Sequence, residues 1–430
     1  MALSSAHDQV ESAYVDTARP LRPQDDPFYE APTGLAALAP GSIIRTRQVR
    51  IAFLGLVPQR GITAWQLAHR SNDLNGEPEV AVTTVLLPRD FQPEGQHRVI
   101  AYQCAIDAIS DKCFPSYALR RGARSWGALP QFELLLIAEF LARGYVVTLS
   151  DHEGRGGYFG APREPGHRVL DGIRATLRLP ELGLDDGTPI GIFGYSGGGM
   201  ASSWAAELAP TYAPELNLVG AVLGSPVGDP GEAFLKLNGG LNAGLPALVV
   251  SGLRHIYPGL GRVIRQHASV DGQRRLDALE EMTTVSAVAR YAYDDFDDYL
   301  DSALADVLAS PEVLEVFDDL RLGKNVPDCP LLVLQSVNDQ IIDVDDVDVQ
   351  VGTYVDGGAR VRYLRDRLSE HISLMVIGMP TMLDWLEQRF LGGEAPTGTS
   401  TVSSVAGSAR AWAGYLHLVG STARTLVGRA

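Results

Sequence analysis

The sequence has few of the residues that cross-links, metal centres and membrane spans require. Its 430 residues include three cysteines, Cys104, Cys113 and Cys329, and no C-x-x-C pair. Three cysteines allow at most one internal disulfide, and without that pair we expect neither a zinc knuckle nor a thioredoxin-like redox site. No run of 18 apolar residues occurs, so no transmembrane segment is expected. A chain of this length can bury a large core without such devices.

Basic residues are also scarce relative to acidic ones. There are 36 Lys and Arg against 52 Asp and Glu, which gives a formal net charge of −16, and only three of the bases are lysines. Phosphate binding needs clustered basic side chains that displace counterions. The sequence therefore predicts a protein that does not bind nucleic acid.

Apolar runs of strand length alternate with patterns of helical spacing along most of the chain. The predicted strands cover residues 49–57, 80–87, 99–103, 145–149, 189–193, 217–223, 331–335 and 360–363, and the predicted helices cover 132–143, 166–179 and 200–208. Strands that alternate with helices indicate an α/β protein whose mostly parallel sheet has helices on both faces.

Four regions follow from composition and pattern. Residues 1–45 are predicted to be a Pro-rich N-terminal arm, residues 46–229 and 327–391 the α/β core, and residues 230–326 a helical cap inserted into it. Residues 392–430 are predicted to be a Gly/Ser/Thr linker followed by a basic amphipathic tail.

The predicted cap is strongly acidic. It holds 15 acids and 9 bases, and ten acids without a base lie between Asp294 and Asp319. Apolar residues interleave with these acids at helical spacing. The pattern is typical of amphipathic helices with a solvated acidic face, and it is compatible with a cap whose apolar face lines an acyl pocket.

The tail has the opposite charge. Residues 409–430 contain Arg410, Arg424 and Arg429 and no acid. Trp412, Tyr415, Leu416, Val419, Leu426 and Val427 could share one helical face. Such a tail could dock on the body of the protein, remain without regular structure, or touch a lipid surface.

The strongest chemical signal is the pentapeptide Gly194-Tyr195-Ser196-Gly197-Gly198, a G-x-S-x-G that follows a predicted strand and opens a predicted helix. In a nucleophile elbow the serine lies at a strained strand-to-helix turn, where small neighbours allow the backbone to pack closely. The pattern predicts Ser196 as a nucleophile and the N–H of Gly197 as a donor to the oxyanion that develops during acyl transfer.

A serine needs a histidine base, and the base needs a carboxylate to orient it. After an elbow the expected chain order is serine, acid, histidine. Four histidines follow Ser196, but His255 and His267 lie in the predicted cap and His417 lies in the tail. His371 is therefore the predicted base.

The acid should follow a strand between the serine and the histidine. Asp339 comes directly after the strand predicted over 331–335 and is the best candidate. Four further aspartates compete for the role: Asp343, Asp345, Asp346 and Asp348. That cluster lacks the glycine and terminal glutamate of a calcium loop, so a solvated helix start is the favoured interpretation.

Other chemistries have little support. The sequence has no GxxxxGK[ST] phosphate loop and no HExxH zinc motif. Asp151-His152-Glu153 could suggest metal ligands, but adjacent residues at a strand end point to different sides, so a hydrogen-bonded structural role is favoured. We expect no metal and no cofactor.

Several segments together resemble the secretory lipase family, typified by yeast-type lipase A. The resemblance runs from about Asp26 to Phe390. It rests on the following matches: Asp26-Pro27-Phe28-Tyr29 with Pro40-Gly41, Cys113-Phe114-Pro115-Ser116-Tyr117, Asp151-His152-Glu153-Gly154 through Gly166-His167 and Val169-Leu170-Asp171, the elbow, and His371-Ile372. The resemblance implies an α/β-hydrolase fold, hydrolysis of carboxylic esters and an inserted helical cap. It also implies that Asp107 helps Gly197 to form the oxyanion hole.

The sequence departs from that family in three places. Residues 1–25 carry acids and no apolar stretch, so no intact signal peptide is expected and the sequence favours a cytoplasmic location, whereas the resemblance implies secretion. The cysteine of the C-x-P-S-Y segment is often disulfide-bonded to the cap in the family, but this cap has no cysteine. Cys113 could instead pair with Cys329 or Cys104, or all three thiols could be free. The tail lies outside the resemblance.

The sequence thus predicts a serine hydrolase that cleaves carboxylic esters, with a triacylglycerol or another acyl ester as substrate. An acyltransferase or a short-chain deacetylase on the same residues remains an alternative, and so does a non-catalytic lipid-binding homologue. The expected partners are a small-molecule or lipid ester and, through the cap or the tail, a peripheral lipid surface.

Overall fold

The computed structural model describes residues 19–407 and 409–430, without the side chains of Ala409 and Arg410. The first 18 residues of the predicted arm therefore lie outside the described part. The described part of the arm follows the surface in three short 3₁₀ turns, Pro23–Asp25, Pro27–Tyr29 and Leu35–Ala37, before the first strand begins.

One large sheet organises the core. The strands in chain order are β1 (Ile43–Val49), β2 (Ala52–Phe53), β3 (Val57–Pro58), β4 (Thr63–Asn72), β5 (Pro78–Leu87), β6 (Val99–Gln103), β7 (Val146–Ser150), β8 (Ile190–Tyr195), β9 (Leu218–Gly224), β10 (Leu331–Ser336), β11 (Val361–Asp366) and β12 (Gly398–Val402). β2 and β3 pair only with each other, and the rest form a ten-stranded sheet in the order β1-β4-β5-β7-β6-β8-β9-β10-β11-β12. From β7 onward in that order the neighbouring strands are parallel, and β1, β4 and β5 extend the sheet with antiparallel pairs. The prediction of a mostly parallel α/β sheet is confirmed.

Helices cover both faces of this sheet. Those of the core are α1 (Pro115–Ala118), α2 (Leu129–Ala142), α3 (Glu164–Leu177), α4 (Gly197–Tyr212), α12 (Val344–Asp356), α13 (His371–Phe390) and α14 (Ala409–Leu426). Alternate residues of each strand face opposite sides. Ile100 and Tyr102 of β6 thus join one buried cluster with α2 and α13, while Val99 and Ala101 join a second with α3, α4 and α12.

Seven helices lie between β9 and β10, where the sequence predicts the cap. They are α5 (Pro230–Leu237), α6 (Gly244–Leu253), α7 (Pro258–His267), α8 (Val270–Leu279), α9 (Thr284–Arg290), α10 (Leu304–Leu308) and α11 (Pro311–Leu320). α7 and α11 have apolar inner faces that meet in a separate buried cluster, which includes Leu260, Val263, Val313 and Val316. The exact limits of the cap, at residues 230 and 326, remain a prediction.

The fold differs from the sequence-based prediction in three places. The strand predicted over 49–57 is instead the end of β1 and a tight hairpin, because Leu54 and Gly55 turn the chain with positive φ angles of 52° and 71°. The ten-residue strand β4 was not predicted, and many of its buried side chains are polar. Part of the predicted linker is β12, which pairs in parallel with β11.

The tail helix α14 docks on the body of the protein. Its Gly414 lies so close to Pro380 of α13 that a Cβ there would need the proline to move. The Tyr415 hydroxyl donates to the carbonyl of Ile377, and the buried Ser421 hydroxyl donates to Glu139 of α2. In the described part of the chain, no helix is both long and apolar enough to cross a membrane.

Candidate active site

Ser196 lies at the turn between β8 and α4, where the elbow motif predicts it. Its φ of 54° and ψ of −123° place it in a region that residues with a side chain rarely occupy. The glycines around it are needed because a Cβ at Gly194 would overlap the backbone of Gly198, and one at Gly198 would overlap the carbonyl of Gln103. The sharp turn lifts the Ser196 hydroxyl beyond the end of β8 and leaves it partly accessible.

His371 is brought to Ser196 by the start of α13. Its Nε2 lies 2.9 Å from the Ser196 Oγ, and its ring is almost completely buried. Glu370 caps the helix, because its carboxylate accepts from the backbone N–H groups of Ile372 and Ser373. The buried Tyr195 hydroxyl donates to the carbonyl of His371 at 2.6 Å. The histidine is thus held through its backbone as well as its ring.

Asp339 lies on the other side of the imidazole. Its Oδ2 is 2.7 Å from His371 Nδ1, and its Oδ1 accepts from the N–H groups of Ile341 and Ile342, each at 2.8 Å. Gln335 donates a further hydrogen bond to Oδ2 at 3.2 Å. A carboxylate held in place by this many donors fixes the orientation of the ring.

The competing residues lie elsewhere. His255 pairs with Glu280 on the cap, and the His267 ring contacts Ser302. His417 is exposed on α14. Asp343 caps the start of α12 by accepting from the N–H of Asp345, which is the helix start that the sequence favours for the aspartate cluster.

Asp107 faces the first residue of α4. It is buried, has a positive φ of 47°, and approaches Gly197 so closely that a Cβ there would overlap its Oδ1. Among the described residues this Oδ1 has no hydrogen-bond partner. Burial, together with the nearby Glu133 carboxylate, raises the pKa of Asp107 to about 7. A carboxyl group that is protonated near neutral pH can donate a hydrogen bond to an oxyanion.

Two buried glutamates hold the loop that carries Asp107, and the sequence did not reveal this role. Glu153 accepts from the N–H of Asp107 at 3.1 Å, and Glu133 accepts from the N–H of Ala105 at 3.1 Å. Burial raises the pKa of Glu133 to about 7 and that of Glu153 well above its usual range. Glu153 belongs to a segment that carries the family resemblance and for which the sequence favours a hydrogen-bonded structural role, but its contact with the Asp107 loop was not predicted.

The neighbours of Glu153 also have structural hydrogen bonds. Asp151 accepts from the N–H of Ser116 at 3.0 Å, and the His152 Nε2 lies 2.8 Å from the carbonyl of Cys104. Within residues 19–407 and 409–430, no group of three or more His, Cys, Asp and Glu side chains is arranged to hold a metal ion. The three cysteines are buried free thiols.

A large apolar cavity extends from Ser196 into the helices between β9 and β10. Its walls include Phe159 and Met200 of the core and Phe234, Leu253 and Leu276 of the cap. The acidic segment contributes its apolar residues as well, among them Phe296, Leu300, Leu304 and Phe317. Arg275 and Asp294, which also line the cavity, neutralise each other in an ion pair of 2.6 Å. The cavity therefore suits an uncharged hydrocarbon chain.

The chain is similar in sequence to a family of known enzymes. The family model for secretory lipases matches residues 119–398. A lipase A of Arthroderma benhamiae is 34% identical over 390 residues, which cover 89% of this chain and 82% of that protein. A Mycobacterium tuberculosis protein named a probable inactive lipase is 54% identical over 374 residues, or 87% of this chain and 84% of that protein.

A solved structure matches this fold over nearly the full length of both chains. The X-ray structure of Candida antarctica lipase A superposes with a TM-score of 0.82 and 26% sequence identity, covering 95% of each chain. The structural similarity thus extends over nearly the whole length of both chains.

Proposed function

This chain belongs to the secretory lipase family and is a carboxylic ester hydrolase; we propose that its reaction proceeds through an acyl-enzyme on Ser196. The observation that supports this proposal is the hydrogen-bonded series of Ser196, His371 and Asp339 at the apolar cavity. The proposal is supported by their position in the α/β-hydrolase fold, since the three residues follow the carboxyl ends of the strands β8, β10 and β11.

In the proposed first half-reaction, the Ser196 oxygen attacks the acyl carbon of the ester and its proton passes to His371 Nε2. Asp339 stabilises the imidazolium that forms and keeps Nδ1 protonated. The tetrahedral intermediate then collapses, the bond to the alcohol oxygen breaks, and His371 returns the proton to the departing alcohol. The acyl group remains on Ser196.

The proposed oxyanion hole is formed by Gly197 and Asp107. The first N–H groups of a helix have no acceptor within that helix, so the N–H of Gly197 is available to the substrate. The unpartnered Oδ1 of a protonated Asp107 would supply a second donor from the other side. Such a donor is preorganised, because the buried loop that carries it is already fixed by Glu133 and Glu153.

Water completes the proposed reaction. His371 removes a proton from a water molecule that attacks the acyl carbon, and Ser196 leaves with that proton when the carboxylic acid is released. We propose an uncharged acyl ester as substrate, with its acyl chain in the apolar cavity. If an alcohol takes the place of water, the same steps give an acyltransferase.

A chromogenic ester series from acetyl to palmitoyl tests the proposal. We expect hydrolysis by the wild type and a loss of about 10⁴-fold or more in kcat for Ser196→Ala. The matched control is Ser202→Ala, six residues later on α4, where the buried hydroxyl has no hydrogen-bond partner among the described residues. Equal activity of the wild type and Ser196→Ala would refute the assignment of the nucleophile.

The second candidate function is a lipid-binding protein without catalysis, which the name of the Mycobacterium tuberculosis relative makes worth testing. Inactivity of the wild type on every ester would favour it. Activity limited to short acyl chains would instead favour an esterase or a deacetylase, and product that appears only with an added alcohol would favour an acyltransferase.

We also propose that the protein touches its lipid substrate from outside, as a peripheral protein. Both the cap and the tail are candidates for this contact, because a water-insoluble ester must pass from a lipid phase into the cavity. The helices between β9 and β10 carry an excess of acids, whereas the tail carries only bases.

A further inference from the structure

The tail helix α14 docks with the face that is less apolar. Its inner side is formed by one buried leucine, Leu418, and otherwise by small and polar residues, with Ala411, Gly414, Ser421 and Thr425 turned toward the body. Its outer side carries exposed apolar residues that are spaced three or four positions apart from Trp412 to Val419 and occur again at Leu426, the last residue of α14, and at Val427 just after it. This set, which we call the tail face, consists of Trp412, Leu416, Val419, Leu426 and Val427, each of which is 50–77% exposed.

The orientation of the tail face is unusual for a helix that only stabilises a fold. A docked helix normally buries its apolar stripe and exposes its polar residues. Here a tryptophan and a leucine, Trp412 and Leu416, are 67% and 77% exposed. Contiguous exposed apolar residues of this kind mark a surface that contacts something else.

A basic pocket lies at the carboxyl end of the same helix. It lies between α14 and α2, and it is lined by twelve described residues, of which Arg89, Arg424 and Arg429 are basic and none is an aspartate or a glutamate. The three arginines are exposed, and none of them forms an ion pair with a residue in the described part of the chain. We call this group the arginine pocket.

The charge of this region differs from that of the rest of the protein. The whole chain carries −16, yet no acid occurs after Glu394. Arginines without a carboxylate partner favour a ligand that brings its own negative charge, and phosphate suits the fork of the guanidinium group. An apolar helix face beside such arginines is typical of helices that lie in the plane of a membrane interface.

We propose that the tail face and the arginine pocket together bind the surface of a lipid phase that contains anionic phospholipid. The tail face enters the region between headgroups and acyl chains, with Trp412 at the level where tryptophan is enriched. The arginine pocket receives phosphate-bearing headgroups. This inference rests on the proposed function, because it names the surface through which a lipid enzyme reaches its substrate.

A second copy of the chain is the competing occupant of the tail face. A two-fold contact between tail faces would bring the basic ends of two α14 helices into one interface. Like charges in one interface cost free energy, whereas anionic headgroups neutralise them. Charge complementarity therefore favours lipid.

Vesicle sedimentation tests the proposal with the full chain. The vesicles are phosphatidylcholine alone, or phosphatidylcholine and phosphatidylglycerol in equal parts, and the measurements use Ser196→Ala so that binding is independent of catalysis. We expect binding to the anionic vesicles that weakens with salt. The Arg424→Gln/Arg429→Gln double variant should bind them about 30-fold more weakly, at about 1 kcal/mol for each arginine. Trp412→Ser/Leu416→Ser should lose about tenfold or more, because less apolar surface is buried.

Matched controls alter the same residue types at other exposed positions. Val349→Ser/Val355→Ser removes exposed apolar side chains from α12, and Arg121→Gln/Arg178→Gln removes two exposed arginines from the core. Both controls should bind like the parent. In the catalytically intact background, all four double variants should hydrolyse a soluble acetyl ester like the wild type, which shows that the fold and the site are preserved.

Three results would overturn the inference. The first is binding of the tail variants that equals that of their controls. The second is absence of binding to the anionic vesicles by the parent, or binding to both vesicle types alike. The third is a dimer of the parent chain that becomes a monomer on Trp412→Ser/Leu416→Ser. Loss of ester hydrolysis in Ser196→Ala is a separate measurement, so the proposed function and this inference can fail independently.

Discussion

The carboxyl group of Asp107 occupies the space that a side chain on Gly197 would need. Its Oδ1 lies within overlap distance of a Cβ built on that glycine, and it has no hydrogen-bond partner among the described residues. The two residues thus define a small polar space beside the Ser196 hydroxyl, which is where the oxyanion of an acyl-transfer intermediate would form.

We expect Gly197→Ala to reduce kcat by at least about 10²-fold on any ester, because the methyl group displaces the Asp107 carboxyl from the proposed oxyanion hole. Steady-state kinetics on a soluble ester measure the effect. Gly352→Ala is the control, since a Cβ at that helical position meets no atom within 4 Å. Wild-type activity of Gly197→Ala would place the oxyanion elsewhere.

The pH dependence of kcat/KM should report Asp107. Burial, with a contribution from Glu133, raises the pKa of Asp107 to about 7, so the carboxyl is neutral below that pH and ionised above it. An ionised Asp107 cannot donate and repels the oxyanion, so kcat/KM should fall as the pH rises above about 7. In Asp107→Asn, which keeps a donor that does not titrate, this fall should be absent. Superimposable profiles would exclude Asp107 as the titrating group.

The contact between Asp339 and His371 gives a third prediction. Asp339→Asn should lower kcat by about 10⁴-fold, because an amide can donate to Nδ1 and thereby favours the wrong tautomer of the ring. The fold should be preserved, as judged by circular dichroism. Asp343→Asn is the matched control. It removes the carboxylate of the N-terminal capping residue of helix α12, and kcat should stay at the wild-type value. A large effect of Asp343→Asn with little effect of Asp339→Asn would reverse the assignment.

Stability should also depend on the buried carboxyl groups. Burial raises the pKa of Asp107, Glu133 and Asp151 to about 7, from ordinary values near 4. Between these values the folded protein binds more protons than the unfolded chain, so the free energy of unfolding contributed by these groups falls as the pH rises through this window. Thermal unfolding at about pH 5 and about pH 8 measures the difference.

Glu133→Gln should make that difference smaller, because one of the three titrating groups is removed while the acceptor for the N–H of Ala105 is kept. Glu315→Gln, on the exposed side of α11, is the control and should leave the difference unchanged. A wild type that is more stable at pH 8 than at pH 5 would contradict the prediction. So would a difference between the two pH values that is the same in Glu133→Gln and in Glu315→Gln.

The family, the α/β-hydrolase fold and ester hydrolysis could all be predicted from the sequence, because their signals are local. The elbow glycines and the strand before them form one short pattern, and Asp339 and His371 each follow a short strand. One strand with the turn or helix start after it therefore explains each of these signals. The roles of these three residues and of Asp107 and Gly197 remain predictions. The structure brings all five together.

The unpredicted elements are those whose cause is non-local. In β4, Gln66 and His69 are fully buried, since Gln66 bonds to Arg47 and Ser116 while His69 bonds to Thr83. Hydrophobic periodicity does not detect a strand whose interior is polar, and the partners of these residues lie on other elements. The same applies to Glu153, whose role depends on a loop 46 residues earlier in the chain.

The tail illustrates the limit of composition in another way. Gly398–Val402 is rich in the residues of a flexible linker, yet it forms β12 because β11 offers it an unpaired edge. Likewise, the apolar stripe of α14 would be expected to face inward, but its small residues fit more closely against Pro380 and α2. Both the pairing of β12 and the docked face of α14 depend on packing geometry, which cannot be read from one sequence.

The addition of β12 has a consequence for self-association. β11 has the sequence Val361-Arg-Tyr-Leu-Arg-Asp366, in which Val361 and Tyr363 are buried apolar residues. Without β12, β11 would be the outermost strand of the sheet. An uncovered strand is a template for pairing with another molecule, and proteins protect such edges with short, polar strands. β12, with the sequence Gly-Thr-Ser-Thr-Val, has five residues and no large side chain. The segment that ends the sheet therefore also acts as a barrier against its growth into aggregates.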